Sequence, residues 1–445
     1  MPGCATRPRH AGAPALIPAP ALDAPRPPAG RDTLPRWREN FPALQAALTS
    51  AGDINLFEFE SADAALAPLD SSDLAPAFAL LPRFDLAPGD VLVFDPVVGP
   101  ETPFPDHQPL RQIAALRTIH TRGLLNASQP RAALALTRRN LAHARASLSA
   151  QTGILPLIHA TGVWQSALDS AHAIARHPDL SPADTRALLD DLLTDSGLPS
   201  RALKRAFTGE YTGVFQVVVD RMPDTDDPDL LLSAVSTLGM DTPSPLAAGE
   251  LGLGLTDHRL LDRTATYDAY RRDLAPYFAA LDRSASLPRG LYASTTATTL
   301  AAYREELGAF YHYATGEGPV TWDLVVHARS DLEATANPVG KLLSDFLTPS
   351  WESLIVSTLR REAQRQAVIG LLAWRLHGRP APWADIIAAG LLASPPADPF
   401  ADGAPLLLST GQDARVWSVF FNATDDGGHL VDGNSGQPDD LVWLK

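Results

Sequence analysis

The chain has 445 residues, length for roughly two or three domains at about 100–200 residues each, and it is 45% hydrophobic and 20% charged. That balance excludes a membrane-embedded bundle, a coiled-coil rod and a wholly disordered chain. With 36 Lys and Arg against 51 Asp and Glu the formal charge is −15, so the surface repels polyphosphate and no nucleic acid partner is expected.

The single cysteine, Cys4, rules out intrachain disulfides and any zinc site built on cysteines, because both need partners. It follows Gly3 and precedes a Pro/Ala-rich tract in which seven prolines from Pro8 to Pro28 stop helix propagation, so residues 1–32 read as a disordered tether. A Gly-Cys junction ahead of such a tether is what a bacterial lipoprotein looks like around its cleavage site. The expectation is a lipid anchor at Cys4, although the apolar segment that belongs before it is missing from this sequence. No run reaches the roughly 18 consecutive apolar residues of a membrane span, so no transmembrane segment is expected.

Residues 33–105 read as a mixed, irregular segment with a short helix over 34–48 and a short strand over 91–94. Residues 106–349 read as a helical body. Leu134, Leu141 and Leu148 recur every seven residues with Thr137 and Ala144 between them, and Leu157, Trp164, Leu168 and Ala171 make a second helical stripe. A third helix starts after Ser181, whose hydroxyl can cap it, with Pro182 at the first position and Asp184 facing the positive end of the dipole. Residues 205–260 look less regular, with an apolar run at 214–219, an acidic loop at 220–229 and a Gly/Pro-punctuated connection. Helices resume with Tyr267, Tyr270, Leu274, Phe278 and Leu281, then Leu300, Tyr303, Leu307 and Phe310.

Residues 350–445 read as a long helix to about residue 377 followed by a β tail. Leu359, Ala363, Ala367, Leu371 and Trp374 form the helix stripe, and its small members admit a close neighbour. Runs at 406–409, 415–421 and 441–444 predict a small antiparallel sheet. The fold class expected is therefore mainly α (α+β), a multi-helix body with a small C-terminal antiparallel sheet packed on a long helix.

Familiar chemical motifs fail on spacing. No histidine pair has the four-residue helical spacing that brings two imidazoles to one ion, and the glycines at 249, 252 and 254 lack the order of a phosphate loop. Asp224, Asp226, Asp227 and Asp229 miss the glycine that an EF-hand needs at its sixth position. Glu305 and His312, with Glu306 beside them, are seven apart and on a regular helix would share a face, a spacing that suits a base and its orienter.

The most informative segment is the tail. Asp398-Pro399-Phe400 and Gly403-Ala404-Pro405-Leu406 lead into it, Trp417-Ser418-Val419 runs on to Asn422, Asp425, Asp426, Gly427 and Gly428, and Asp439-Asp440-Leu441-Val442-Trp443 closes it. This pattern resembles the C-terminal calcium loop of the type II secretion major pseudopilins. It is similar also to tails with an Asp-Asp-Gly-Gly core in large uncharacterised helical proteins exported by Gram-negative and planctomycete-like bacteria. Asn337-Pro338-Val339-Gly340 before the last long helix, the Arg-rich Leu/Ala pattern over 109–204 and Gly378-Arg379-Pro380 fit that second group. Phe420 and Ala423 stand where glycines are usual, and Asn422 where an aspartate is usual.

The resemblance implies calcium as the cofactor, with Asn422, Asp425, Asp426, Asp439 and Asp440 as its ligands. It implies an extracytoplasmic place, periplasmic or in the cell envelope, and a partner among envelope or secretion-related proteins. The expected function is a non-enzymatic scaffold or interaction protein. The alternative is a hydrolase with its site in residues 205–330, built on Glu305, Glu306 and His312.

Overall fold

The computed structural model describes residues 29–52, 73–94, 107–150, 153–237, 259–283, 295–315, 321–348, 351–411, 414–419, 425 and 441–444. The fold is mainly α with a small sheet, as the hydrophobic periods predict. Contacts divide it into a larger unit (residues 24–214, 281–293 and 350–445) and a smaller one built on residues 215–280 and 294–349.

The larger unit opens with a two-residue strand, β1 (Arg31–Asp32), and the helix α1 (Leu34–Ser50). A short helix α2 (Ala75–Leu80), a 3₁₀ turn (Leu81–Phe84) and β2 (Asp90–Val91) follow. β1 pairs with β2 in parallel, Arg31 against Asp90 and Asp32 against Val91, which corrects the tether boundary: folded structure starts before residue 33. The strand expected at 91–94 is cut to its first residue, and Leu92 and Phe94 are buried as coil. Residues 1–28 and the anchor candidate Cys4 lie outside the described residues.

Five helices come next: α3 (Gln108–Asn126), α4 (Pro130–Ser149), α5 (Ile154–Arg176), α6 (Pro182–Leu193) and α7 (Leu198–Glu210). Proline stands in the first turn of α3, α4, α6 and α7, where its missing N–H costs nothing. The Ser181 hydroxyl accepts from the Asp184 amide at 3.1 Å, so α6 begins where its capping residue predicts. The α4 stripe of Leu134, Thr137, Leu141, Ala144 and Leu148 is buried throughout. Helix α5 is buried on nearly every side, because it packs against α3, α4 and α7 and so needs far more than one apolar stripe.

The chain then passes through a π-helical turn (Tyr211–Phe215) into the smaller unit. There the described part of the segment expected to be irregular is largely helical, with α8 (Gln216–Arg221) and α9 (Pro228–Thr237) on either side of the acidic loop. Three successive valines read as β-prone, but their helix penalty is well under about 1 kcal/mol each, and Val218 and Val219 are fully buried. Burial outweighs that penalty at about 1.5–3 kcal/mol per large apolar side chain. The unit continues with α10 (Arg263–Arg283), α11 (Thr295–Thr315), α12 (Trp322–Ala334) and α13 (Pro338–Leu347).

Two local devices shape this unit. In α11, Gly308 takes φ +49° and breaks the helix, while the Asp331 carboxylate of α12 accepts the next amide, that of Ala309, at 2.7 Å. A β-carbon at Gly308 would sit 2.6 Å from that carboxylate, so glycine is required by both conformation and space. At the start of α13, Asn337 adopts the left-handed conformation. Its Oδ1 accepts from the Asp262 amide at 2.8 Å and its Nδ2 donates to Thr266 Oγ1 at 2.9 Å. A β-carbon at Gly340 would meet Thr266 Oγ1 at 2.1 Å. The Asn-Pro-Val-Gly motif is thus a clasp between α13 and the start of α10.

Back in the larger unit, α14 (Trp351–His377) packs on α5, α6 and α7, which corrects the expected division at residue 350: the last long helix belongs with the first helices of the body. Its stripe from Leu359 to Trp374 is buried as predicted. Arg375 spreads its guanidinium over backbone carbonyls at the end of α5, reaching Pro178 O at 2.6 Å and Leu180 O at 2.8 Å. A short helix α15 (Trp383–Ala388) leads to β3 (Leu407–Ser409), β4 (Arg415–Ser418) and β5 (Leu441–Leu444), an antiparallel sheet in the order β3-β4-β5 that lies against α14.

Candidate functional site

The tail is built around Asp398. Its side chain is buried, Oδ1 accepts from the Phe400 amide at 2.9 Å and from Ser418 Oγ at 2.7 Å, and Oδ2 accepts from the Val419 amide at 2.9 Å. Backbone bonds from Asp398 to Ala404 and from Ala401 and Gly403 back to Asp398 close the lead-in turn. Asp402 and Gly403 take positive φ there, +52° and +82°. One carboxylate therefore fastens the lead-in to the end of β4. The sequence marks this aspartate only as part of a motif; its role as a lock requires the partner at Ser418, twenty residues on.

The sheet register then fixes both ends of the loop that carries the candidate ligands. Ser418 of β4 pairs with Leu441 of β5, so residues 419–440 leave and return at adjacent points of the ladder. Of the five candidates, Asp425 is described: it is exposed, and its Oδ1 accepts from Trp417 Nε1 at 3.1 Å. The Arg415 guanidinium lies over the Trp417 ring at 5.7 Å. Asn422, Asp426, Asp439 and Asp440 lie outside the described residues. Among the described residues, no group of three or more His, Cys, Asp or Glu side chains is placed to hold a metal ion.

In the smaller unit, Glu305, Glu306 and His312 are all exposed. The break at Gly308 lies between Glu305 and His312, so seven residues no longer return to one face. Glu306 forms an ion pair with Lys341, and the Thr335 hydroxyl donates to its backbone carbonyl. Burial pushes the Asp273 carboxyl up to about 6, against the pull of Arg272, and burial together with Asp273 pushes the Tyr303 phenol up to about 12. A cavity of about 270 Å³ lies beside the acidic loop, lined by Asp224, Thr225, Asp226, Arg259 and Arg263 with Pro223 and Leu261. Its charges balance, and none of the three residues proposed for hydrolysis lines it.

A further carboxyl with a displaced pKa serves the fold. Helix α5 starts after Gly153, which has no side chain to cap it, and the Glu210 carboxylate at the end of α7 accepts the Ile154 amide instead. Burial pushes the Glu210 carboxyl up to about 7, the amide bond opposing. A carboxyl raised on folding is destabilising once ionised: its cost is absent below about 4.5 and grows as pH rises to about 7. Glu210→Gln keeps the acceptor oxygen and removes the charge. At pH 8 it should raise stability by roughly 3 kcal/mol, at about 1.4 kcal/mol per pH unit between the two pKa values, and at pH 4 it should change nothing. Thermal denaturation at both pH values checks this, and an equal effect at the two would refute it.

No protein-family model matches the chain, and no curated protein or solved structure matches it. The fold defines a class: a mainly helical protein carrying a small antiparallel sheet whose β4–β5 connection is rich in carboxylates. Among the described residues no helix is long and apolar enough to cross a membrane.

Proposed function

We propose that this chain is a non-enzymatic scaffold or interaction protein of the cell envelope, held by a lipid at Cys4 and carrying a structural calcium ion in its tail. The observation that supports this most is the Asp398 lock together with the Ser418–Leu441 register, which bring the two ends of the carboxylate-rich loop side by side. Buried ionisable groups elsewhere hold the fold together. Arg365 pairs with Glu362 and donates to Leu192 O, Arg145 grips Asp195, and Asp169 accepts from Gln165 and Gln364. Oxygen-only ligands on an irregular loop favour Ca²⁺ over Zn²⁺ and over the strictly octahedral Mg²⁺.

If Asp425, Asp426, Asp439 and Asp440 converge, their carboxylates repel one another without a cation, so the empty loop would oppose folding of the tail. Calcium that binds only the folded tail stabilises it by about 2.7 kcal/mol at roughly a hundred times its dissociation constant. Calorimetric titration of the chelator-treated protein should give heat and a rise in melting temperature, both weakened in Asp425→Ala and Asp439→Ala. Absence of heat and of a melting shift at millimolar Ca²⁺ would sink the metal reading. Incorporation of labelled palmitate, lost in Cys4→Ser, tests the anchor separately.

A further inference from the structure

The first elements of the larger unit meet the helices beneath them through three aromatic side chains, and each rests on a histidine. Trp37 of α1 sets against the His143 ring of α4 with centroids 4.9 Å apart and planes at 77°. Phe78 of α2 stacks on His120 of α3 at 4.5 Å and 8°. Phe94, just after β2, lies on His107 at the start of α3 at 4.6 Å, and His107 stacks in turn on His159 of α5 at 5.4 Å. His143 is 0% exposed and His107 is 3% exposed. Neither ring nitrogen of His143 has a hydrogen-bond partner, and nor has Nδ1 of His120.

A neutral imidazole fits such a place as an aromatic ring. An imidazolium does not, since it carries two donors that need acceptors and a charge that needs hydration. The surroundings aggravate this. Arg117 of α3, itself buried, donates to Phe84 O at 2.9 Å, Arg139 lies one turn before His143, and Arg36 of α1 donates to Asp85 O at 2.6 Å. The Asp85 carboxylate is already shared by Arg117 and Arg139, each at 3.1 Å. An added proton at His143 thus joins existing positive charge.

We propose that the layer built from β1, α1, α2, the 3₁₀ turn and β2 is released by acid: it is docked while the imidazoles of His120 and His143 are neutral, and their protonation detaches it from α3 and α4 while the helices beneath stay folded. Burial, with Arg117 adding to it, holds His143 well below the usual imidazole range, and burial alone lowers His120. A base whose pKa falls on docking leaves the docking constant unchanged above its undocked value of about 6.5, where it is neutral in both states. As pH drops below this value its protonation opposes docking, by up to about tenfold in the docking constant per pH unit for each proton taken up.

Hydrogen exchange on the full chain at pH 7.5 and pH 5.0, corrected for intrinsic rates, tests the layer directly. Amides of α1 should lose at least about tenfold protection at the lower pH, while those of α14 keep theirs. The double variant His143→Phe, His120→Phe retains rings that cannot charge, and α1 should stay protected at pH 5.0. Unchanged α1 protection in the wild type, or an equal loss in the double variant, overturns the proposal. Should the double variant not fold, proton NMR of the wild-type histidines decides: imidazoles titrating well below the usual value together with the loss of α1 protection support release, and titration of every imidazole at the usual value with α1 still docked refutes it.

Discussion

Trp374→Ala should lower the stability of the larger unit by about 3–5 kcal/mol, the usual cost of truncating a buried large aromatic side chain. Trp374 is 1% exposed and its indole N–H donates to Ala381 O at 2.7 Å. Its ring stacks on Trp383 at 5.8 Å, and Trp383 Nε1 donates to Leu406 O at 2.7 Å, next to β3. Two indoles in series therefore join the long helix to the sheet. Trp383 reaches this place because position 370 is glycine: a β-carbon there would stand 2.6 Å from its ring. The loss should show in urea denaturation followed by circular dichroism, and exchange in β3 and β4 should rise with it. A cost below about 1 kcal/mol would mean that the indole pair does not couple helix to sheet. Trp374→Phe should recover most of the packing but not the bond to Ala381.

What the sequence showed of this fold follows from which interactions are local. The 3.6-residue stripes of α4, α10 and α14, the Ser181 cap and the β-prone runs of β3 and β4 are written in neighbouring residues, and all stand close to where they were expected. Interactions across the chain were not legible. The parallel pair β1–β2 joins residues almost sixty apart, and nothing near Arg31 announces it. The break at Gly308 is set by Asp331 of the next helix, so the seven-residue spacing of Glu305 and His312 pointed to a shared face that the folded chain does not keep. The stripe of α14 revealed its burial but not its neighbours, and so the boundary at residue 350 divided helices that pack together. In the tail, motif spacing identified the lead-in and the closing strand. Which carboxylate holds the structure and which face outward depends on the partners of Asp398 and Asp425.

That distinction leads to the second large effect, expected at Asp398. Asp398→Ala should cost about 3–5 kcal/mol, because it strands the Phe400 and Val419 amides and the Ser418 hydroxyl, each worth about 1–3 kcal/mol when left buried without an acceptor, with some relief as water enters. Asp398→Asn separates charge from shape. Its amide oxygen can still accept from Phe400 and Ser418, but its NH₂ then faces the Val419 N–H, donor against donor. A smaller loss of about 1–3 kcal/mol is expected. Tail-specific proteolysis should follow the same order, with cleavage after residue 419 fastest in the alanine variant. Asp398 does not itself need to touch a cation in the proposed site for its loss to matter. By fastening Val419 it sets where the chain leaves β4, so if the tail holds the proposed calcium ion, both variants should weaken its binding and added calcium should restore part of the lost stability. A variant that loses stability yet matches the wild type in calcium titration would show that the Asp398 lock does not position the proposed site.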